Sequence, residues 1–99
     1  MKITRAYLEL KLEDKEVVYF FKNGLFYLVL NDDALLLRNL GFKNKIIPFG
    51  IDDIKMGFLA SEKDKLEKRL EEKNLKYKFI ENYTHPNYSQ YIGLKGDDK

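Results

Sequence analysis

The chain has 99 residues, 44% hydrophobic and 34% charged, with a formal net charge of +2. That composition belongs to one globular domain with a single modest core, neither disordered nor fibrous. With no cysteine and one histidine, it excludes disulfide frameworks, thiolate zinc sites, iron–sulfur clusters, cysteine nucleophiles and multi-histidine metal centres.

No apolar run approaches the roughly 18 residues of a membrane span. The opening stretch MKITRAYLELKLEDKE has no uninterrupted apolar segment of the kind a signal peptide needs, so the expected compartment is the cytoplasm. The triplets Asn82-Tyr83-Thr84 and Asn87-Tyr88-Ser89 then carry no glycosylation meaning. The 18 basic residues are nearly cancelled by 16 acids, and only Arg5, Arg38 and Arg69 are arginine. This balance argues against a whole-surface binder of nucleic acid and leaves room for a local basic patch.

Residues 3–13 place Ile3, Ala6, Tyr7 and Leu10 at i, i+3, i+4 and i+7, which predicts a helix with one apolar stripe. The alternation of Leu8, Leu10 and Leu12 is the competing strand pattern. Val17 to Phe21 and Leu25 to Leu30 are β-branched, aromatic and aliphatic, and read as strands. Between them, Asn23-Gly24 supplies two positive φ angles for a type I′ turn. A two-residue turn there sets Lys22 opposite Leu25, Phe21 opposite Phe26, Phe20 opposite Tyr27 and Tyr19 opposite Leu28. Both hairpin faces are apolar, so both need cover.

Asn31-Asp32-Asp33 reads as the start of a short helix through Leu40, with Gly41 at its left-handed end. Lys45 to Phe49 reads as a strand, and Pro48 marks it as an edge or an end. A turn at Asp52-Asp53 precedes a short strand over Ile54 to Phe58. Ser61 is the expected N-cap of a polar helix over Glu62 to Lys73, with Asp64 at the capping-box position, a Leu66–Leu70 seam, and Asn74 to end it. Leu75, Tyr77 and Phe79 alternate with Lys76 and Lys78 as a half-exposed strand. The order α-β-β-α-β-(β)-α-β predicts an α/β (α+β) domain over residues 1–81, a mixed sheet flanked by helices. Residues 82–99 form a polar tail containing Tyr83, Tyr88 and Tyr91, partly ordered and frayed at its end.

No nucleophile–base arrangement and no glycine-rich phosphate loop is present, so no catalytic residues, metal or cofactor are expected and the protein reads as a non-enzyme. His85 reads as a surface histidine in a loop. Asp32-Asp33 and Asp52-Asp53 are explained by a helix start and a turn, and vicinal carboxylates diverge too much to clamp a metal. The lysine-rich helix reads as a solvated face with i,i+4 pairs. Lys76 and Lys78 project from one face of a strand with no acid between them, which makes them the better phosphate contacts. Phe26, two residues past the turn, is either a core ring or an exposed ring able to stack on a base.

The segments Tyr7-Leu8-Glu9-Leu10-Lys11, Tyr19 to Tyr27 and Asn31-Asp32-Asp33-Ala34 together resemble the N-terminal mismatch-recognition domain of MutS proteins (domain I). Ile47-Pro48, Gly57-Phe58, the Ser61–Lys73 helix and Tyr77 to Glu81 follow in the order of that family. The resemblance covers roughly residues 6 to 81 and is strongest over 17–34. It implies that Phe26 matches the phenylalanine that wedges into DNA and stacks on a mispaired base. Leu28 stands where the family has its base-reading glutamate, and Leu25 replaces the usual aspartate. The implied activity is therefore stacking on unpaired or distorted nucleic acid with poor discrimination of mispairs. A span of 99 residues holds none of the clamp, lever and ATPase domains of a repair MutS. As a lone domain the chain is similar to the MutS-like accessory proteins of diversity-generating retroelements, which accompany a reverse transcriptase. The expected nucleic-acid-binding residues are Phe26, Lys22 and Asn23 at the hairpin tip, with Lys76 and Lys78. The expected partners are DNA, RNA or their hybrid, together with a reverse transcriptase; an oligomer is compatible with the apolar hairpin. The alternative is a protein-binding subunit that docks on a polymerase or repair factor without touching nucleic acid.

Overall fold

A computed structural model describes residues 3–81. Its elements are α1 (Ile3–Glu13), β1 (Val17–Asn23), β2 (Phe26–Leu30), α2 (Asn31–Asn39), β3 (Ile46–Phe49), β4 (Asp53–Leu59), a single 3-10 turn (Ala60–Glu62), α3 (Lys63–Glu72) and β5 (Lys76–Ile80). The five strands form one sheet in the order β3-β4-β2-β1-β5. β5 runs parallel to β1, and the other neighbours are antiparallel. This is the mixed sheet and the element order that the sequence predicts. Pro48 lies on the edge strand β3, where a missing N–H costs no ladder bond. The tail 82–99, with His85 and its tyrosines, lies outside the described residues. Among the described residues no helix is long and apolar enough to cross a membrane.

The two faces of β1 sort the core into two layers. Val17, Tyr19 and Phe21 pack with Ile3, Ala6, Tyr7 and Leu10 of α1, so the 3.6-residue stripe wins over the alternating leucines. Val18 and Phe20 face the other way, against Ala34 and Leu37 of α2 and Leu66 and Leu70 of α3. Phe20 stacks on Phe79 with ring centroids 4.9 Å apart. Each such fully buried side chain contributes about 1.5–3 kcal/mol.

The hairpin register differs from the expected one. Phe21 lies opposite Leu28, Lys22 opposite Tyr27 and Asn23 opposite Phe26, so the two-residue turn is Gly24-Leu25. Gly24 has φ 62°, whereas Asn23 and Leu25 are not left-handed. A positive φ at the first central position alone is the type II′ pattern, which needs glycine there and accepts leucine second. Asn23 is therefore a strand residue. The shift is two residues, so every side chain keeps its face.

Asn31-Asp32-Asp33 begins α2 as expected, but by other means: no side-chain cap hydrogen bond forms. Asn31 bends the chain in the left-handed region, φ 49°. Its side chain donates to Asp53 Oδ1 at 2.9 Å and accepts the Ile54 N–H at 2.9 Å, pinning the start of β4. Asp33 is 2% exposed. Its carboxylate accepts from Lys11 Nζ at 2.8 Å and from the Tyr19 backbone N–H at 3.1 Å. Beyond Phe21 the β1–β2 ladder has opened, and the carboxylate serves as Tyr19's partner. Lys11 Nζ also donates to the carbonyls of Lys15 (2.7 Å) and Val17 (2.8 Å), which uses all three ammonium protons. Burial pushes the Asp33 carboxyl above its usual range, against the downward pull of Lys11 and the Tyr19 amide. Ser61 is likewise not the cap of α3: it lies in the 3-10 turn, and α3 starts at Lys63 with no side-chain cap. Asn74, φ 58°, closes α3 as the sequence suggests.

Removing one member of the buried pair leaves the other charge uncompensated. Asp33→Ala is expected to lower stability by about 3–5 kcal/mol. The double variant Lys11→Met/Asp33→Leu should recover much of that loss, with urea denaturation of both as the measurement. Equal losses in the single and double variants would show that the pair is incidental.

Candidate nucleic-acid interface

The hairpin tip extends past the cover given by the helices. Leu25 is 77% exposed, Phe26 45% and Leu59 45%. Phe26 and Leu59 occupy one rung between β2 and β4. The Ala60 N–H donates to the Leu25 carbonyl at 2.8 Å, which ties the turn to the end of β4. Phe26 shares its face with Leu28, on the α1 side of the sheet, and its ring leans over Gly57. A methyl group built on that glycine would stand 3.6 Å from Phe26 Cδ1 and 3.7 Å from Leu28 Cδ2. The ring is thus partly supported by the sheet at Gly57 and partly open to solvent, as a stacking platform must be.

Its neighbours in the motif are committed elsewhere. Leu28 is buried beneath α1 at 6% exposure. Tyr27 points to the opposite face, and its hydroxyl donates to Glu81 Oε2 at 2.7 Å. Burial and that carboxylate push the Tyr27 hydroxyl up to about 12.

The five residues expected to form one interface do not converge. Asn23 lies opposite Phe26 and shares its face. Lys22 lies opposite Tyr27, so its side chain leaves from the α2/α3 face. Lys76 and Lys78 share the α1 face with Phe26 but lie on β5, level with Val17 and Tyr19. That separates them from the Asn23–Phe26 rung by about 20 Å and 13 Å along the strands, with β1 between. Lys76 also meets Glu16 Oε1 at 3.2 Å, so the acid that its own strand lacks arrives from the α1–β1 connection. Leu59 joins Phe26 only through the β2–β4 register, 33 residues along the chain, and no local pattern marks it.

A separate hollow lies elsewhere. A groove of about 650 Å³ runs between α1 and α2, walled by Leu8, Leu12 and Leu36 above the Lys11–Asp33 pair. Leu8 is 59% exposed and Leu12 81%.

No family model matches the chain, and no curated protein matches it.

The exposed position of Phe26 predicts a modest structural role. Phe26→Ala should cost about 1–2 kcal/mol in chemical denaturation and retain the native circular dichroism spectrum. Phe20→Ala, at 0% exposure, should cost about 3–5 kcal/mol. Comparable losses at the two positions would place Phe26 in the core.

Proposed function

We propose that the protein is a non-enzymatic accessory module that binds nucleic acid by stacking, similar in role to the MutS mismatch-recognition domain, and that it assists a reverse transcriptase of a diversity-generating retroelement. The single observation that carries this reading is the Phe26 ring, in contact range of Gly57 and 45% exposed at the end of the β1–β2 hairpin. Leu25 and Leu59 beside it make the tip an apolar wedge. Such a wedge gains energy wherever a base is already unstacked or unpaired, because the cost of opening the stack has been met. With Leu28 in place of the carboxylate, the wedge lacks the family's base-reading group, so the ligand is selected chiefly by distortion. Mispaired RNA–DNA hybrid and single strands, both products of error-prone reverse transcription, are the fitting ligands.

The α1–α2 groove favours a second reading, a subunit that docks on the polymerase through Leu8, Leu12 and Leu36 without touching nucleic acid.

Fluorescence anisotropy with a labelled oligodeoxythymidine and with a hybrid carrying one mispair separates the two. The stacking reading expects binding of both at low salt and a loss of about 1–3 kcal/mol on Phe26→Ala. It expects little preference for one mispair over another. Wild-type protein that binds neither probe at low salt, yet co-purifies with the polymerase in a Leu8- and Leu12-dependent way, establishes the docking reading instead.

A further inference from the structure

β3 pairs with β4 only as far as Met56, so the last three residues of β4 have an open edge. Asn44, in the connection between α2 and β3, closes that edge by donating from Nδ2 to the Gly57 carbonyl at 2.7 Å. A hollow of about 180 Å³ lies there, walled by Asn44, Leu59 and the α3 side chains Lys65 and Arg69. The Arg69 guanidinium carbon lies 4.0 Å from the centroid of the Phe42 ring, a cation–π contact. Lys65 sits one helical turn earlier on the same side of α3, a like-charge i,i+4 pair that by itself destabilises the helix. Among the described residues neither cation meets a carboxylate within ion-pair distance. Lys43 and Lys45, both exposed, flank Asn44. Glu62 also lines the hollow and opposes these charges. Leu59 walls the hollow and stands opposite Phe26. The hollow lies on the α2/α3 side with Phe58 and Leu66, whereas the Phe26 ring lies on the α1 side, so the two features meet around the open edge of β4.

We infer that this hollow is a phosphate subsite, in which Lys65 and Arg69, with Lys43 and Lys45 at its rim, hold a backbone phosphate of a strand that runs around the open edge of β4 from the base lying on Phe26. The inference deepens the stacking reading and rests on it for the source of the phosphate. The Asn44 side chain is pinned by one of its amide protons and has a second to donate. The guanidinium edge offers the planar donor pair that suits a phosphate. The site supplies charge where the wedge has none, and it assigns the phosphate contacts to α3 and the α2–β3 connection, away from Lys76 and Lys78.

The test uses the full chain and two probes. First, the salt dependence of oligodeoxythymidine binding is measured for wild type, Lys65→Gln/Arg69→Gln, Lys76→Gln/Lys78→Gln and Glu62→Gln. The α3 double variant should bind about tenfold or more weakly, and its slope of log K against log salt should flatten by about 1.4. The β5 double variant should keep the wild-type slope, and Glu62→Gln should bind more tightly. An α3 variant with wild-type affinity and slope overturns the subsite while Phe26→Ala still tests the wedge. Second, inorganic pyrophosphate is titrated into the ¹⁵N-labelled chain. Shifts at the Asn44 side-chain amide and Arg69 Nε–H that vanish in the α3 variant are expected. Absence of those shifts overturns the site even if oligonucleotides bind. Shifts with pyrophosphate, combined with oligonucleotide binding that ignores the α3 variant, make it a site for a free anion and overturn the backbone assignment.

Discussion

Strand β1 carries apolar side chains on both faces, and water must be kept from both. The arrangement of the molecule follows from that requirement. One helix, α1, lies on the Tyr19–Phe21 face, and two, α2 and α3, lie on the Val18–Phe20 face. Helices of nine to eleven residues span about 14 to 17 Å, whereas a seven-residue strand spans about 23 Å. The cover therefore ends before the hairpin does. The rung Asn23–Phe26 and the turn Gly24-Leu25 project beyond it, so the exposed ring is a consequence of length and not an isolated oddity.

The open end of the hairpin is balanced by a tightly closed one. There the chain leaves β2 and starts α2 within a single residue, Asn31, and the orphaned Tyr19 N–H is met by Asp33. Lys11 reaches the same carboxylate from α1 and satisfies two carbonyls on the way. One buried carboxylate thus joins both layers to the sheet.

The elements were legible in the sequence because their patterns are local: the 3.6-residue stripe of α1, the aromatic runs of β1 and β2, the Leu66–Leu70 seam. The errors fall where partners are distant. Asn23-Gly24 looks like the turn by composition, yet the β2–β4 pairing and the Ala60–Leu25 bond hold the turn one residue later. Asp33 resembles a helix cap, and only the placement of Lys11, 22 residues earlier, turns it into a structural bridge. The sequence favours Lys76 and Lys78 because no acid lies between them along their strand. What decides a basic residue's availability is whether a carboxylate reaches it: Glu16 meets Lys76 across the sheet, whereas Lys65 and Arg69 face a hollow beside Asn44. Exposure of Phe26 is left open by the sequence, since the same ring fits a core or a tip.

The account stands on a base lying against Phe26, and photocrosslinking reads that contact directly. An oligonucleotide with a single 5-iodouracil is bound to saturation, irradiated and digested, and the adduct is mapped by mass spectrometry. The account predicts the adduct on the peptide containing Leu25 and Phe26. Adducts confined to β5 or to the α1–α2 groove, or none from a saturated complex, would contradict it.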